Sequence, residues 1–135
     1  MKKLTLNVSQ NTTLRGIPLV AFYHLPSLEF FQVQHSNLRT LGPLTFEHFT
    51  ALSTILLPRN SIEVIEYNAF VNLTSLSKLD LSANQIRVIK RYVFVRLPNL
   101  EKLYLDRNNI TTLLDRAFQE LDGLRELRLS SNHIQ

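Results

Sequence analysis

The chain has 135 residues, of which 44% are hydrophobic, and a formal net charge of +4. One domain fits this length, and a mean hydropathy of -0.02 excludes both a disordered chain and a membrane-resident one. No apolar run approaches the roughly 18 residues that suggest a membrane-spanning helix. Cysteine is absent, which excludes a disulfide framework and a thiolate nucleophile or metal ligand.

The amino-terminal segment, residues 1–27, opens with alternating apolar residues. Leu4, Leu6 and Val8 predict a strand, because successive side chains of a strand point to opposite faces. The polar stretch that begins at Ser9 ends this pattern. Although Met1 is followed by two lysines, the apolar stretch after them is too short for a signal peptide, so no targeting segment is predicted.

From Leu28 onward the chain repeats itself every 24 residues. Four successive segments carry apolar residues at the same places, an asparagine or serine after the Leu-x-Leu pair, and a phenylalanine further on. The four sets are Leu28, Phe31, Val33, Ser36, Leu38, Leu41 and Phe46; Leu52, Ile55, Leu57, Asn60, Ile62, Ile65 and Phe70; Leu76, Leu79, Leu81, Asn84, Ile86, Ile89 and Phe94; and Leu100, Leu103, Leu105, Asn108, Ile110, Leu113 and Phe118. A fixed period of this length indicates a solenoid of stacked repeats.

These residues resemble the leucine-rich repeat family in its 24-residue class, which is common in Toll-like, chaoptin-like and Slit-like ectodomains. The resemblance implies an α/β solenoid, or horseshoe, with a parallel concave sheet and short helical or irregular convex segments. It implies one array over residues 1–135, with a degenerate first repeat at 1–27, full repeats at 28–51, 52–75, 76–99 and 100–123, and a truncated repeat at 124–135. The cysteine-rich caps of that family are absent, so we expect a fragment of a longer protein.

The first repeat can join the array in two registers. A strict 24-residue spacing places Asn7 and Ser9 at the inward strand positions. A 25-residue repeat instead places Leu6 and Val8 there, with Asn11 in the asparagine position. We predict the 25-residue register, because burying two polar side chains would require hydrogen-bond partners for them.

Two sets of side chains are predicted to stack from repeat to repeat. An asparagine side chain offers one acceptor and two donors, which can satisfy backbone groups of the turn after each short strand. This structural asparagine ladder comprises Asn60, Asn84, Asn108 and Asn132. The phenylalanines predicted to form a spine towards the convex side are Phe22, Phe46, Phe70, Phe94 and Phe118.

The residues between the inward leucines must point out from the concave sheet, because strand side chains alternate. Among them Phe30, Leu56 and Tyr104 are large enough to anchor a partner, and the charged ones would set charge complementarity and association rate. The predicted ligand-binding residues are Phe30, Leu56, Lys78, Asp80, Lys102, Tyr104, Asp106, Arg107 and Arg128. Three outward columns over six strands have a projected area of about 350 Å², below the roughly 800 Å² per partner of a standard interface, so we expect part of a binding site.

No catalytic, cofactor or metal constellation is found in the sequence. Only three glycines are present, too few and too scattered for a phosphate-binding loop. The four histidines, His24, His35, His48 and His133, lack metal-ligand spacing. We therefore predict no enzyme activity, no cofactor and no metal.

Four Asn-x-Ser/Thr sequons favour a secretory setting, at Asn7, Asn11, Asn72 and Asn109. We predict N-glycans on Asn7, Asn72 and Asn109, whereas Asn11 is expected in a buried turn. The predicted location is extracellular or at the cell surface, in a longer membrane-anchored or secreted glycoprotein that acts in recognition, cell adhesion or signal transduction.

The predicted partner is a protein ligand or partner receptor bound on the concave face. No nucleic-acid motif accompanies the basic residues, so neither nucleic acid nor direct membrane contact by this segment is expected. The densest basic run leaves an anionic glycan as an alternative ligand, and it consists of Arg87, Lys90, Arg91 and Arg96.

Two further functions fit the same sequence. The last strand would leave Leu127, Leu129 and Ile134 uncovered, which predicts end-to-end self-association and allows a structural or matrix role. The absence of cysteine is also consistent with an intracellular scaffold.

Overall fold

A computed structural model describes residues 2–7 and 23–135. Within these ranges the chain forms ten strands and no helix, so none of these residues lies in a helix able to cross a bilayer. The strands are β1 (Lys2–Asn7), β2 (Leu28–Gln34), β3 (Thr40–Leu41), β4 (Thr54–Leu56), β5 (Val64–Ile65), β6 (Lys78–Asp80), β7 (Val88–Ile89), β8 (Lys102–Tyr104), β9 (Thr112–Leu113) and β10 (Glu126–Arg128).

Six of these strands form one parallel sheet in the order β1-β2-β4-β6-β8-β10. Parallel neighbours need a crossover connection, and here each crossover is the remainder of a repeat. The strand register advances by one repeat at a time, so that Thr54 pairs with Lys78 and Lys78 with Lys102. The result is a solenoid of about five turns, which confirms the predicted fold, with turns and bends where the convex segments were expected.

The Phe spine forms the far side of the core from the sheet. Phe46, Phe70, Phe94 and Phe118 stack in sequence, with ring centroids 5.6, 6.0 and 6.1 Å apart and nearly parallel planes. Such contacts between large rings stabilise neighbouring repeats beyond simple area burial. The spine is therefore confirmed at these four positions, while Phe22 lies outside the described residues.

The first strand joins the sheet in a register that the sequence did not predict. Leu4 lies opposite Phe31 in β2, and Leu6 lies opposite Val33. Their separation is 27 residues rather than 24 or 25, so the predicted 25-residue register is wrong. Leu6 does pair with an inward position, but it faces Val33 instead of Phe31, and Leu4 takes the other inward position. The physical reason is that β1 starts at Lys2, where a register shift lets Leu4 pack, half-buried, against the core. Val8 and Asn11 lie outside the described residues.

A second set of short strands runs along one flank of the solenoid. β3 pairs with β5, and β7 pairs with β9, both in parallel. Within the described residues β5 and β7 belong to separate sheets, so this flank is divided in the middle. Each strand begins with a β-branched residue, which suits a half-exposed strand position.

The repeats also place non-glycine residues in the left-handed region of φ at three recurring positions. The first set follows the concave strands, the second and third lie on the far side of the solenoid, and all have φ between 54° and 67°. The sets are His35, Arg59, Ala83, Arg107 and Ser131; Leu44, Asn68, Tyr92 and Arg116; and Asn72, Arg96 and Glu120. This conformation costs most L-residues free energy that glycine avoids, although asparagine tolerates it. At every one of these positions except Asn68 and Asn72, the repeat geometry therefore imposes it against local preference.

Candidate binding surface on the concave sheet

The asparagine ladder fixes the turn that follows each concave strand. Asn84 donates its amide to the carbonyl oxygens of Leu57 (2.8 Å) and Leu81 (3.0 Å), and its Oδ1 accepts the N–H of Ile62 (3.0 Å). Asn60, Asn108 and Asn132 donate in the same way to a carbonyl of their own repeat and one of the repeat before. Each asparagine therefore ties two repeats together, which holds the concave positions in fixed register.

Ser36 occupies the same position with a shorter side chain and different partners. Its hydroxyl accepts the N–H of Leu38 (3.2 Å) and donates to Oδ1 of Asn60 (2.7 Å). Its own N–H donates to that same oxygen at 3.0 Å. The serine thus supplies, within its own repeat, the acceptor that the next asparagine supplies in the later repeats.

The concave strands align the outward side chains in columns. Register pairing from β2 to β10 links each residue to its counterpart one repeat later. The first column is Phe30, Thr54, Lys78, Lys102 and Glu126, and the second is Gln32, Leu56, Asp80, Tyr104 and Arg128. The surface therefore has an uncharged half on β2 and β4 and a charged half on β6, β8 and β10.

Tyr104 is the centre of the charged half. The Cζ of Arg128 lies 4.0 Å from its ring centroid and the Nζ of Lys78 lies 5.1 Å from it, so two cations flank the ring. Its hydroxyl donates to Oε2 of Glu126 at 3.1 Å. Arg128 in turn donates from Nε to Oε1 of Glu126 at 2.7 Å. We call Lys78, Tyr104, Glu126 and Arg128 the Tyr104 cluster.

The charges within the Tyr104 cluster support one another. Burial raises the pKa of the Tyr104 phenol, and the hydrogen bond to Glu126 raises it further, which keeps the hydroxyl protonated as a donor. The hydrogen bond from Arg128 lowers the pKa of Glu126, and the same bond raises the pKa of Arg128. The pair therefore stays ionised around neutral pH, and its side chains are held in one arrangement.

One expectation for this face needs correction. Tyr104 is only 8% exposed, not the open anchor that its outward position suggested, because the two flanking cations and Glu126 cover its ring. Phe30 and Leu56 are half-buried, and Nζ of Lys3 lies 4.6 Å from the Phe30 ring centroid. Sequence alternation gave the direction of these side chains but not what their neighbours would cover.

The other charged side chains predicted to bind a ligand differ in how exposed they are on this face. Lys102 and Arg107 are exposed, whereas Asp80 and Asp106 are half-buried. Asp80 is partly committed within the protein, because its Oδ1 accepts both the N–H (2.9 Å) and the hydroxyl (2.6 Å) of Ser82. Lys102, Arg107 and Arg128 are therefore the cations most open to a partner.

The basic run of the sequence does not form a single cationic patch. Lys90 pairs with Glu66 at 3.0 Å and Arg91 with Asp115 at 3.5 Å. Arg96, in contrast, lines a cleft on the far side of the solenoid. These partners partly neutralise the run, which weakens the case for an anionic glycan at this place.

Of the predicted glycosylation sites, Asn72 and Asn109 lie off the concave sheet, whereas Asn7 lies in it, paired with Gln34. Asn72 and Asn109 are both exposed, and each is followed in its sequon by an exposed threonine. Asn7 is the last residue of β1. At the other end of the sheet, Leu127 and Ile134 are exposed and Leu129 is half-buried. Within residues 2–7 and 23–135 the acidic residues and histidines form no cluster that could hold a metal ion.

Comparison with known proteins gives a consistent family. The family model described as "Leucine rich repeat" matches residues 31–86 and 75–134. The chain is similar to TLR13 in its complex with ssRNA13, with a TM-score of 0.84 and 28% identity over 97% of this chain and 21% of that chain. It is also similar to the structure of the Toll–Spatzle complex of Drosophila, with a TM-score of 0.74 and 30% identity over 78% of this chain and 14% of that chain. No curated protein matches the sequence.

Proposed function

Because the chain belongs to the leucine-rich repeat family, we propose that it is a non-catalytic module that binds a protein ligand on its concave sheet. The observation that carries this proposal is the Tyr104 cluster, whose side chains are held by mutual contacts before any ligand arrives. A surface that is already ordered loses little side-chain entropy on binding. The chain spans about a fifth or less of the solved chains it resembles, so this surface would be part of a larger site.

The distribution of charge favours a protein over a polyanion. Charges of both signs lie together on β6, β8 and β10, namely Lys78, Lys102 and Arg128 with Asp80 and Glu126. A polyanion would meet the carboxylates as well as the cations, and like charges in an interface cost free energy. A protein surface with charges of both signs can complement such a pattern.

The uncharged half supplies the apolar part of the proposed site. Phe30 and Leu56 stand on neighbouring strands, and the residues paired with them, Thr54 and Gln32, are neutral. Aromatic and aliphatic groups at the centre of an interface contribute most of the binding free energy, while charges around them set orientation. The ligand would place an apolar group on β2 and β4 and its charged groups over β6 to β10.

The proposed setting is extracellular or lumenal, in a receptor or adhesion glycoprotein. The exposed sequon asparagines Asn72 and Asn109 support it, since both side chains are accessible to modification and neither lies in a concave column. Glycans at these places would leave the concave sheet free for a ligand.

Nucleic acid is a second candidate ligand. We expected no nucleic-acid partner from the sequence. The structure of TLR13 in complex with ssRNA13 leaves that expectation without support. Phosphate contacts make binding fall steeply with salt, whereas a mixed-charge protein interface depends on salt more weakly. A titration over salt concentration therefore separates the two candidates.

The test uses two matched pairs of charge reversals. The concave pair is Lys102→Glu with Arg107→Glu, and the control pair on other faces is Arg87→Glu with Arg116→Glu. All four arginine and lysine side chains are exposed, and Arg107 and Arg116 share the left-handed backbone conformation. Both variants thus change the net charge by the same amount, and each places one glutamate at a left-handed backbone position.

We expect the wild-type protein to bind at least one member of a panel of purified secreted proteins, and the concave pair to abolish this while the control pair preserves it. Heparin and a single-stranded RNA oligonucleotide serve as polyanion probes in the same assay. Tight, strongly salt-dependent RNA binding that the concave pair abolishes would replace the protein ligand with nucleic acid. Equal loss of binding in both pairs would contradict the concave site.

A further inference from the structure

A cleft of about 300 Å³ opens on the side of the solenoid that faces away from the concave columns. It spans three successive repeats and combines an aromatic ring, a cation, a carboxylate and apolar walls. The lining residues are Asn68, Val71, Tyr92, Val95, Arg96 and Glu120. Its volume is at the lower limit of cavities that hold small ligands, so it suits a single ring or two rather than a peptide.

The chemistry of the cleft matches that of a sugar. Tyr92 is 49% exposed, and an aromatic face packs well against the apolar C–H face of a pyranose. The guanidinium of Arg96 offers donors, and the carboxylate of Glu120 offers acceptors, for sugar hydroxyl and acetamido groups. Val71 and Val95 add an apolar wall for a methyl group.

The chain carries a sugar attachment point beside this cleft. Asn72, Arg96 and Glu120 occupy the same place in three successive repeats, and all three have left-handed backbone angles, with φ of 61°, 55° and 67°. Because Arg96 and Glu120 line the cleft and Val71 precedes Asn72, the Asn72 position borders the cleft at its first repeat. Asn72 begins a sequon with Thr74, and both residues are exposed.

We propose that this cleft seats the first N-acetylglucosamine of an N-glycan on Asn72, with the sugar packed against Tyr92. The inference rests on the proposed secretory setting. It assigns the glycan a structural role, since a sugar in the cleft contacts three repeats at once. An N-glycan on Asn109 would have no such effect, because Asn109 does not line this cleft.

The test compares two forms of the protein secreted from eukaryotic cells. One is the glycoprotein made in cells that attach only high-mannose N-glycans and trimmed with endoglycosidase H, which leaves a single N-acetylglucosamine. The other is Thr74→Ala, which removes the sequon but keeps Asn72 in place. The known bonds of Thr74 use its backbone only, with its N–H donating to Asn72 and its carbonyl accepting from Asn99, so the substitution preserves both bonds.

Nitration of tyrosine by tetranitromethane, read by mass spectrometry, reports whether the sugar covers the ring. We expect nitration of Tyr92 to be several-fold slower in the trimmed glycoprotein than in Thr74→Ala. Tyr67 is the internal control, because it is 58% exposed and does not line the cleft, and its rate should be the same in both forms. Equal nitration of Tyr92 in the two forms would overturn the proposal.

Thermal unfolding provides a second readout. The trimmed glycoprotein should melt above Thr74→Ala, and this difference should vanish when both carry Tyr92→Ser. If the difference in melting temperature survives Tyr92→Ser, the sugar does not pack against the Tyr92 ring and the proposal is overturned. Absence of glycan from Asn72 alone also overturns the proposal, whereas absence from both Asn72 and Asn109 removes the support for the secretory setting as well.

Discussion

Replacing Asn84 by alanine should destabilise the protein strongly, although only one amide is lost. The side chain of Asn84 makes four hydrogen bonds, and its partners differ in how many other hydrogen bonds they keep after the substitution. The carbonyl of Ser82 still accepts the N–H of Arg59. The carbonyls of Leu57 and Leu81 each keep a second amide donor, from Asn60 and Asn108. The N–H of Ile62, in contrast, loses the acceptor that satisfies it in the buried interior.

The magnitude follows from these partners. An unsatisfied buried N–H costs about 1–3 kcal/mol, and a hydrogen bond lost at a carbonyl that keeps another partner costs about 0.5–1 kcal/mol. Asn84→Ala should therefore lower the free energy of unfolding by about 2–4 kcal/mol. Urea denaturation followed by circular dichroism measures this as a lower midpoint with an unchanged slope.

Asn84→Ser is the matched comparison, because the chain itself uses serine at this position in the first full repeat. Ser36 accepts the N–H of Leu38 and donates to Asn60. By the same geometry a serine at 84 would serve the N–H of Ile86, which Asn108 already accepts, and would leave the N–H of Ile62 without its acceptor. Asn84→Ser should therefore cost about as much as alanine, roughly 2–4 kcal/mol. A much smaller loss for serine than for alanine, or a loss below about 1 kcal/mol for alanine, would refute the assignment of the cost to the Ile62 N–H.

Three further predictions address the core, the backbone and the charged cluster. Phe94→Ala should cost about 3–5 kcal/mol in urea denaturation, because the ring is buried and stacked on both sides, and a loss below about 1 kcal/mol would contradict the spine. Ala83→Gly should raise the free energy of unfolding by up to about 1 kcal/mol, because its φ of 54° strains alanine more than glycine gains entropy on unfolding, and a loss would contradict this. Glu126 has a pKa lowered in the folded state, so its stabilising effect is present above its unfolded pKa of about 4.3 and is lost as the pH falls through the folded value. Glu126→Gln should accordingly flatten the pH dependence of stability below about pH 4.3, and an unchanged profile would contradict the cluster.

The sequence predicted the repeat and its inward positions because both follow from a strict period. Leu79 and Leu103, for example, could be placed without coordinates, since alternation and spacing leave one choice. The register of β1 could not be predicted in the same way. Leu4, Leu6 and Val8 alternate equally well in two registers, and the choice between Leu4 and Val8 depends on where the strand begins.

The flanking strands and the left-handed backbone positions were also missed. Val64 and Val88 carry the signal for the flank, since a β-branched residue precedes an apolar anchor in both repeats. Tyr92 carries no signal for its left-handed φ, because a bulky residue normally avoids it. Only the stacking of neighbouring turns imposes that conformation, and stacking is not visible in one repeat.

The exposure of the concave side chains depends on contacts that no periodic pattern contains. Alternation put Tyr104 on the outer face, but its cover comes from Lys78 and Arg128, one repeat before and one after. The cleft beside Asn72 is of the same kind, because it is assembled from three repeats. Both features require the relative placement of side chains that are 24 residues apart in the chain.

Site-specific photo-crosslinking tests the concave site most directly. Benzoylphenylalanine would replace Thr54, at the centre of the concave sheet, or Thr112, on the flanking strand β9. With a secreted protein that binds the wild type, we predict crosslinking from position 54 and none from position 112. Crosslinking from position 112 with none from position 54 would place the ligand on the flank and contradict the concave site.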